Sequence, residues 1–549
     1  MLGLLATQAP ASVHYVDLNS TNATAPYVDW PTAATNIQDA IDAAVDGDQV
    51  LVTNGLYATG GRVVFGVMTN RVVVDKAVTV QSVNGPAATT IAGFTSPGVF
   101  PPFGIRCVYL TNGAALIGFT LTNGCSRNAG DTLREKSGGG LWCEGAGAIA
   151  SNCVFAGNSG SWFGGGAYRG TLINCTFTNN RAGFGGGACS NTLINCSLVR
   201  NSATYNNLNS GGAAYYCTLS NCLIVGNQAL GGGGFGGGVF ASTLTSCVLS
   251  NNYANTGGGA ALGIINNSLI ASNYAASGGG AYRSLLTNCL VIGNSASFGG
   301  GIYGFSSDPI YNCTVVSNAA SSAAGGVSEG PCLNCIIYYN LAPIQPNIHS
   351  VAVAYCCTAP LQVGSGNFTN APRFADLAGG DLHLQSDSPC VNSGNNAFVS
   401  LNNDLDGNPR IAGGTVDVGA YEFPSPSSVL SYAWAQQYGL ATDGTVDFID
   451  SDGDGMNNWQ EWIAGTIPTD RASLLTMVSV SPSFRAVGLE VSWRSVSGRT
   501  YFLQRGTNLA PQPVFSTLRG NIVGQAGATT FTDTTATNRG PYFYRVGVQ

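Results

Sequence analysis

Charge is scarce in this chain. Its 549 residues include 21 Lys and Arg and 28 Asp and Glu, 9% in all, where an average soluble domain carries about 25%. Only two lysines occur, Lys76 and Lys136. The stretch from Gly145 to Ser307 holds no Asp, Glu, His or Lys, and its only charges are Arg169, Arg181, Arg200 and Arg283. A net charge of −7 without a basic stripe excludes nucleic acid as a partner. The lack of any run of about 20 apolar residues excludes a helical membrane span. Disorder is excluded too, because disordered chains stay open through high charge and low hydrophobicity, and 44% of this chain is apolar. The acid-free stretch also limits chemistry. Hydrolysis of a glycosidic bond uses a pair of carboxylates, and elimination needs a base and a group that stabilises the developing charge. Between 145 and 307 only Tyr or Arg can fill such roles.

Glycine is abundant instead, at 76 residues, more than all the charged side chains together. The glycines do not recur every third residue, so a collagen helix is excluded. They belong to a longer period. Aligned on Cys153, Cys175, Cys196, Cys222, Cys247, Ser268, Cys289, Cys313 and Cys335, the chain repeats every 21 to 26 residues. One position earlier stands Asn, or Ser at 246, and two positions later an apolar residue. Five positions later stands Asn in every unit, from Asn158 and Asn180 to Asn318 and Asn340. A glycine cluster opens the next segment, as at Gly164 to Gly166 and Gly278 to Gly280. In most units an aromatic follows it: Trp142, Tyr168, Tyr215, Phe240, Tyr282 and Tyr303.

This pattern predicts a short strand with Cys and the apolar residue on one face, a turn at the Asn, which tolerates left-handed backbone, and a second strand after the glycines. Units this short cannot bury a face alone and must stack. The predicted fold is all-β, a parallel β-helix solenoid in which the Asn and aromatic rows become ladders with rungs about 4.8 Å apart.

The segment Ile37-Gln38-Asp39-Ala40-Ile41-Asp42-Ala43-Ala44, with Gly47-Asp48-Gln49-Val50-Leu51-Val52 and Gly55-Leu56-Tyr57, resembles the capping helix and first coil of pectin-lyase-like right-handed β-helix proteins. An amphipathic helix there covers the open end of the stack. Asp404 to Arg410 and Asp417 to Glu422 are similar to the closing segment of secreted bacterial β-helix proteins of the choice-of-anchor kind. The resemblance implies a right-handed helix over 13–423 and a secreted or cell-surface bacterial protein. It does not choose an activity, because the family mixes lyases, hydrolases and binding proteins. Residues 1–12 read as the remnant of a signal peptide.

The cysteines are expected to be reduced along the ladder. Stacked coils hold Cβ atoms about 4.8 Å apart and parallel, whereas a disulfide wants roughly 3.5 to 4.5 Å and converging vectors. Bridges stay open among the off-ladder residues Cys107, Cys125, Cys143, Cys189, Cys217, Cys332, Cys356, Cys357 and Cys390.

Candidate catalytic residues gather between Ser126 and Glu144: Arg127, Asp131, Arg134, Glu135, Lys136 and Glu144. Longer excursions, 202–210 and 228–235, occupy the same corner of later coils, and insertions on one face of a solenoid commonly build its binding surface. Trp162, Phe163, Phe184, Tyr205 and Phe235, with Phe298, are the candidate ligand-binding aromatics.

A linker at 424–428 leads to a helix and to Asp450-Ser451-Asp452-Gly453-Asp454-Gly455-Met456-Asn457-Asn458-Trp459-Gln460-Glu461. This matches an EF-hand loop position by position: carboxylates from Asp450, Asp452 and Asp454, glycine at the sixth place, the main-chain oxygen of Met456, then Asn458 and Glu461. Calcium is the expected cofactor, and Asp443 and Asp447 are candidates for a weaker neighbouring site. The loop also resembles dockerin and thrombospondin-type calcium repeats, although a dockerin pairs two such loops and one is clear here. Residues 424–473 form this segment, and 474–549 resemble a small fibronectin-III-like β-sandwich. The expected function is a monomeric, largely non-catalytic protein interacting with polysaccharide or a cell-surface glycan. The alternatives are a polysaccharide lyase or glycoside hydrolase using the charged loop, and an adhesin or structural spacer.

Overall fold

A row of asparagine side chains registers the coils. A computed structural model of the protein describes residues 11–94, 103–204, 210–481, 488–510, 513–537 and 540–549. In it Asn158, Asn180, Asn201, Asn227, Asn252, Asn273, Asn294, Asn318 and Asn340 are buried and hydrogen-bonded one to the next. Asn252 shows the rule. Its Oδ1 accepts from the main-chain N–H and the Nδ2 of Asn227, and its Nδ2 donates to the Ile224 carbonyl and to Oδ1 of Asn273, all at 2.9 to 3.0 Å.

The coils lie in three parallel sheets. The first runs from Val13–Val16 and Gln49–Val52 through Ala115–Ile117, Ile149–Ser151 and Thr171–Ile173 towards Cys332–Leu333. The second carries Gly55–Tyr57, Thr120–Thr122, Val154–Ala156 and Thr176–Thr178. The third holds Thr69–Val74, Ile105–Leu110, Leu141–Cys143, Ala167–Tyr168 and their successors to Ile348–His349. Leu172, Phe177 and Ala188 of successive sheets are fully buried and fill the bore. The fold class is therefore the expected all-β parallel β-helix.

Two local expectations change. Left-handed backbone falls on the Asn one residue before the cysteine, as at Asn152, Asn174 and Asn334, where φ lies near +50°. At the second corner it falls on the residue before the ladder Asn, as at Gly157, Asn179 and Ser272. The ladder Asn itself is reserved for inter-coil bonding. The corner also carries a short parallel sheet of its own, Ser159–Phe163, Arg181–Phe184, Ser202–Ala203 and Gln228–Ala229.

The glycine clusters follow from coil spacing. A Cβ on Gly165 would lie 2.3 Å from the Arg181 carbonyl oxygen and 2.5 Å from that of Gly186 on the next coil, so no side chain fits.

The first coil is capped by the helix Ile37–Ala43, whose Ile37, Ala40 and Ile41 are buried. Asn36 accepts from the Asp39 N–H at its start. Lys76 closes its end by donating to the carbonyls of Ile41, Asp42 and Ala44.

All seventeen cysteines are buried. The ladder thiols point back at main-chain oxygens, as Cys153 Sγ does to Ser151 at 3.2 Å, and burial pushes the off-ladder thiols of Cys107 and Cys217 up to about 12.

The chain clusters into two compact units, 1–353 and 354–549. In the second, Phe374–Asp376 and Asp381–Leu384 form an antiparallel hairpin. Buried Asp404, Arg410, Asp417 and Glu422 organise the segment that follows, with Asp417 accepting from the N–H groups of Asn392 and Phe423. Two three-stranded antiparallel sheets close around Val491, Trp493, Tyr501 and Leu503, the expected β-sandwich. No helix among the described residues is long and apolar enough to cross a membrane. Residues 1–10 of the expected signal-peptide remnant lie outside the described residues.

Each ladder Asn satisfies buried groups on both neighbouring coils, and a buried group left unpaired costs about 1–3 kcal/mol. Asn252→Ala is therefore expected to lower stability by about 3–5 kcal/mol. Urea denaturation followed by circular dichroism measures this, and an unchanged midpoint would refute the role given to the ladder.

Candidate functional site

The charged segment 126–144 divides into residues that fold the loop and residues that face a cavity. Asp131 Oδ1 accepts from the N–H groups of Leu133 and Arg134 and so starts a turn. Glu135 is buried, and its carboxylate accepts from the N–H of Val67 at 3.2 Å, the N–H of Asp131 at 2.9 Å and Arg127 Nη1 at 2.5 Å. Burial alone would raise its pKa, but those donors and the Arg127 charge outweigh it and hold the carboxyl below the usual range. Lys136 Nζ sits 4.8 Å from the centre of the Trp162 ring. Asp131, Glu135 and Lys136 thus brace the loop, while Arg134 and Glu144 reach the cavity.

That cavity, about 450 Å³, opens over the outer face of the third sheet at its first coils. Tyr109 and Trp142 form its floor, in register on neighbouring coils with rings stacked 5.2 Å apart. Asn70, Arg106, Arg134, Glu144 and Arg169 supply the polar lining, and Val64, Phe65, Met68 and Leu133 an apolar lip.

Glu144 accepts from the hydroxyls of Thr111 at 2.6 Å and Tyr109 at 2.5 Å, and these bonds lower its pKa, so it is ionised at neutral pH. Burial and the same carboxylate raise the Tyr109 pKa, so that phenol keeps its proton. Arg106 is fully buried, donating to the carbonyls of Arg134, Ser137 and Gly138 and to Asn70 Oδ1. Burial brings its pKa down to about 9, which leaves it charged at neutral pH. The Arg134 guanidinium lies 4.3 Å from the Phe65 ring centre. Arg169 lies 5.2 Å from the Tyr168 ring and donates to the Glu144 carbonyl at 3.3 Å.

Beyond the cavity the outer row continues through Tyr168, Cys189, Tyr215 and Phe240 to Tyr282 and Tyr303. The candidate aromatics pack on it. Phe163 lies 6.0 Å from Tyr168 and Tyr215, Phe184 5.3 Å from Tyr215, and Phe235 6.4 Å from Phe240. Trp162 is half-buried against Phe184, and Phe298 is exposed. Tyr205 lies outside the described residues.

In the second unit, ligand-atom positions of Asp450, Asp452 and Asp454 lie within 4.8 Å of one another. Asp450 receives the N–H groups of Gly453, Asp454 and Gly455, which wraps the loop around its carboxylates. Asn458 and Glu461, on the helix Asn458–Ala464, are fully buried. Four buried oxygens here have no hydrogen-bond partner: Asp452 Oδ2, Asp454 Oδ2, Asn458 Oδ1 and Glu461 Oε2. Burial and the three aspartates push Glu461 up to about 7. Unpaired, mutually repelling oxygens are the donor set a hard cation satisfies. Asp447 instead accepts from Ser428 Oγ and the Val429 N–H, and Asp443 from Thr445.

No family model matches the chain, and no curated protein does. Among solved structures it is similar to the pectate lyase Pel9A (14% identity, 75% of this chain and 97% of that one, TM-score 0.33). It is also similar to XylC in complex with xylose (8% identity, 75% and 98%, TM-score 0.38). A third match is the A-module of the Azotobacter vinelandii mannuronan C-5 epimerase AlgE4 (10% identity, 65% and 100%, TM-score 0.31). What decides the architecture is the stack of parallel strands described above. The fold is the pectin-lyase-like parallel β-helix.

On this β-helix the cavity residues Asn70, Arg106 and Tyr109 had no motif to mark them. Tyr109 was reachable by extending the aromatic row one coil back, and Arg169 stood out as a charge in an acid-free stretch.

Removing the Glu135 carboxylate takes away its three hydrogen bonds, from Arg127 and from the N–H groups of Val67 and Asp131. Glu135→Ala is expected to make the 127–136 segment sensitive to trypsin while the coils keep their circular dichroism. The folded pKa is depressed, so this brace is present at neutral pH and is lost as pH falls below the ordinary Glu value of about 4.3. Limited trypsin digestion at pH 7 checks the first, and hydrogen exchange of the segment between pH 7 and pH 3 checks the second. Equal cleavage of variant and parent would refute the assignment.

Proposed function

We propose that the protein is a secreted or cell-surface polysaccharide-binding β-helix whose binding face is the outer side of the third sheet. The observation that carries this reading is the aromatic row that leads into an open cavity floored by Tyr109 and Trp142. Tyr109 and Trp142 are mostly buried and stacked on each other, so they offer a sugar apolar ring edges, and the exposed Val64 and Phe65 at the lip add apolar surface beside them. Binding is favoured over hydrolysis by the lining. Hydrolysis uses two carboxylates about 5–9.5 Å apart, and the described lining holds one, Glu144, which is committed to Tyr109 and Thr111. In a panel of immobilised glycans the full chain is expected to be retained on at least one without releasing reducing ends or unsaturated products. Trp142→Ala is expected to weaken that retention at least tenfold. Retention unaffected by Trp142→Ala, or turnover of a glycan, would overturn the reading.

We propose also that Asp450, Asp452, Asp454, the Met456 carbonyl, Asn458 and Glu461 hold a structural calcium ion. The four unpartnered oxygens support it. Bound calcium would pair these oxygens and neutralise the local negative charge. Stabilisation by a ligand at about 100 times its dissociation constant is about 2.7 kcal/mol. Calcium is accordingly expected to raise the melting temperature of the transition that reports the 354–549 unit in the full chain, and Glu461→Ala to abolish the shift. The absence of any shift on chelation would sink the proposal.

A further inference from the structure

Two cysteines of the second unit, Cys357 and Cys390, depart from the habit of the thiol ladder. Cys356 keeps that habit: its Sγ returns to the carbonyl two residues back, Ala354, at 3.4 Å, as Cys153 returns to Ser151. Cys357 is the next residue. On earlier coils that place belongs to the outer face, where Thr176 and Ser197 are half-buried and Leu223 is exposed. Cys357 is nevertheless fully buried. The chain that follows turns back over it: Phe368 bridges its strand, and the Asn370 carbonyl accepts from its Sγ at 3.2 Å.

Cys390 reaches the same place from beyond the hairpin Phe374–Asp376 and Asp381–Leu384. Ser388 Oγ donates to the Pro372 carbonyl, two residues past Asn370, and receives the Cys390 N–H at 3.3 Å. Cys390 is fully buried as well, and the Cys357 thiol is within hydrogen-bonding reach of the Cys390 thiol. Ladder thiols also touch, as Cys175 touches Cys153 and Cys196. There, strands in parallel register hold the Cβ vectors parallel, against the convergence a disulfide needs. Cys390 lies in a turn, so no sheet register imposes that restraint on this pair.

We propose that Cys357 and Cys390 form a disulfide that staples the strand Cys357–Thr358 to the closing segment. The closing segment is already bonded to Cys390 and its neighbour. The Cys390 carbonyl accepts from the Val418 N–H at 3.0 Å, and the Val391 carbonyl from the Tyr432 N–H at 3.1 Å. The oxidant is a second disulfide, small or carried by a protein. One cysteine thiolate attacks a sulfur of that disulfide and forms a mixed disulfide. The other thiolate then attacks the sulfur of the first cysteine, the Cys357–Cys390 bond forms, and the oxidant leaves as two thiols, having taken two electrons and two protons. Burial pushes the folded Cys357 thiol well above its ordinary range, which leaves little thiolate. The exchange therefore belongs to folding, before the segment 367–370 closes over Cys357. It needs an oxidising compartment, which the secreted or cell-surface reading supplies.

The test uses the full chain, produced once by export to a bacterial periplasm and once in a reducing cytoplasm. Each sample is denatured in iodoacetamide and weighed as intact protein. The exported chain is expected to keep two of its seventeen cysteines unalkylated, and its unreduced digest to contain one linked pair of peptides, holding Cys357 and Cys390. The cytoplasmic chain is expected to be alkylated at all seventeen. Refolding the cytoplasmic chain from urea in reduced and oxidised glutathione gives a second route to the same count. Reducing the bridged chain is expected to lower the melting temperature of the transition that reports the 354–549 unit by about 5 °C or more. The double variant Cys357→Ser, Cys390→Ser is expected to melt at one temperature with and without reductant. Seventeen alkylated cysteines in the exported chain, or a link between any other pair instead, overturns the proposal and leaves the glycan-binding reading standing.

Discussion

An amide side chain buried in a β-stack is tolerable only if all its hydrogen bonds are made inside the protein. The ladder from Asn158 to Asn340 meets that condition by making each coil finish the bonding of its neighbour. The consequences spread outward. Because the ladder Asn must point inward at a fixed place, the residue before it must turn the chain, which is why left-handed backbone collects at Gly157, Asn179 and Ser272. Because the coils are drawn together there, the cluster that follows the corner strand must be glycine, as the approach to Gly165 shows. The paucity of charge follows as well. Positions locked into the bore cannot carry ions.

The outer face of the third sheet is where this constraint relaxes. Side chains there alternate with the bore-filling Ala167, Ala188 and Ala214, and they are free to be Tyr, Trp, Cys or Phe. Around Tyr168 and Tyr215 the neighbouring corner sheet lays Phe163 and Phe184 against them. At the first coils the connection 64–68, between the paired strands Arg62–Val63 and Thr69–Val74, and the 127–136 loop both border the cavity. Glu135 connects the two walls, since it takes N–H groups from Val67 and from Asp131.

The solenoid was legible because a ladder demands the same residue at every rung, which turns a three-dimensional requirement into a visible period. The acidic loop at 450–461 was legible for the opposite reason: its residues are local, so spacing alone brings Asp450, Asp452 and Asp454 together. The cavity was not. Asn70, Arg106, Arg134, Glu144 and Arg169 come from successive coils, and nothing in the chain distinguishes Glu135, which holds a loop together, from Glu144, which lines a cavity. The misplaced turn has a similar cause. At 179 and 180 both residues are Asn, and only the structure separates the one that turns from the one that bonds.

The asparagine ladder also makes each coil an interchangeable cassette. Its upper and lower surfaces present the same donors and acceptors, so a whole coil duplicated or deleted between two rungs would return every bond to an equivalent partner, whereas loss of one residue inside a coil would turn the amide out of line. Change in such a rod is quantised. Its length can be reset in steps of one turn without redesigning the interior, and the cavity at its first coils would be carried along untouched.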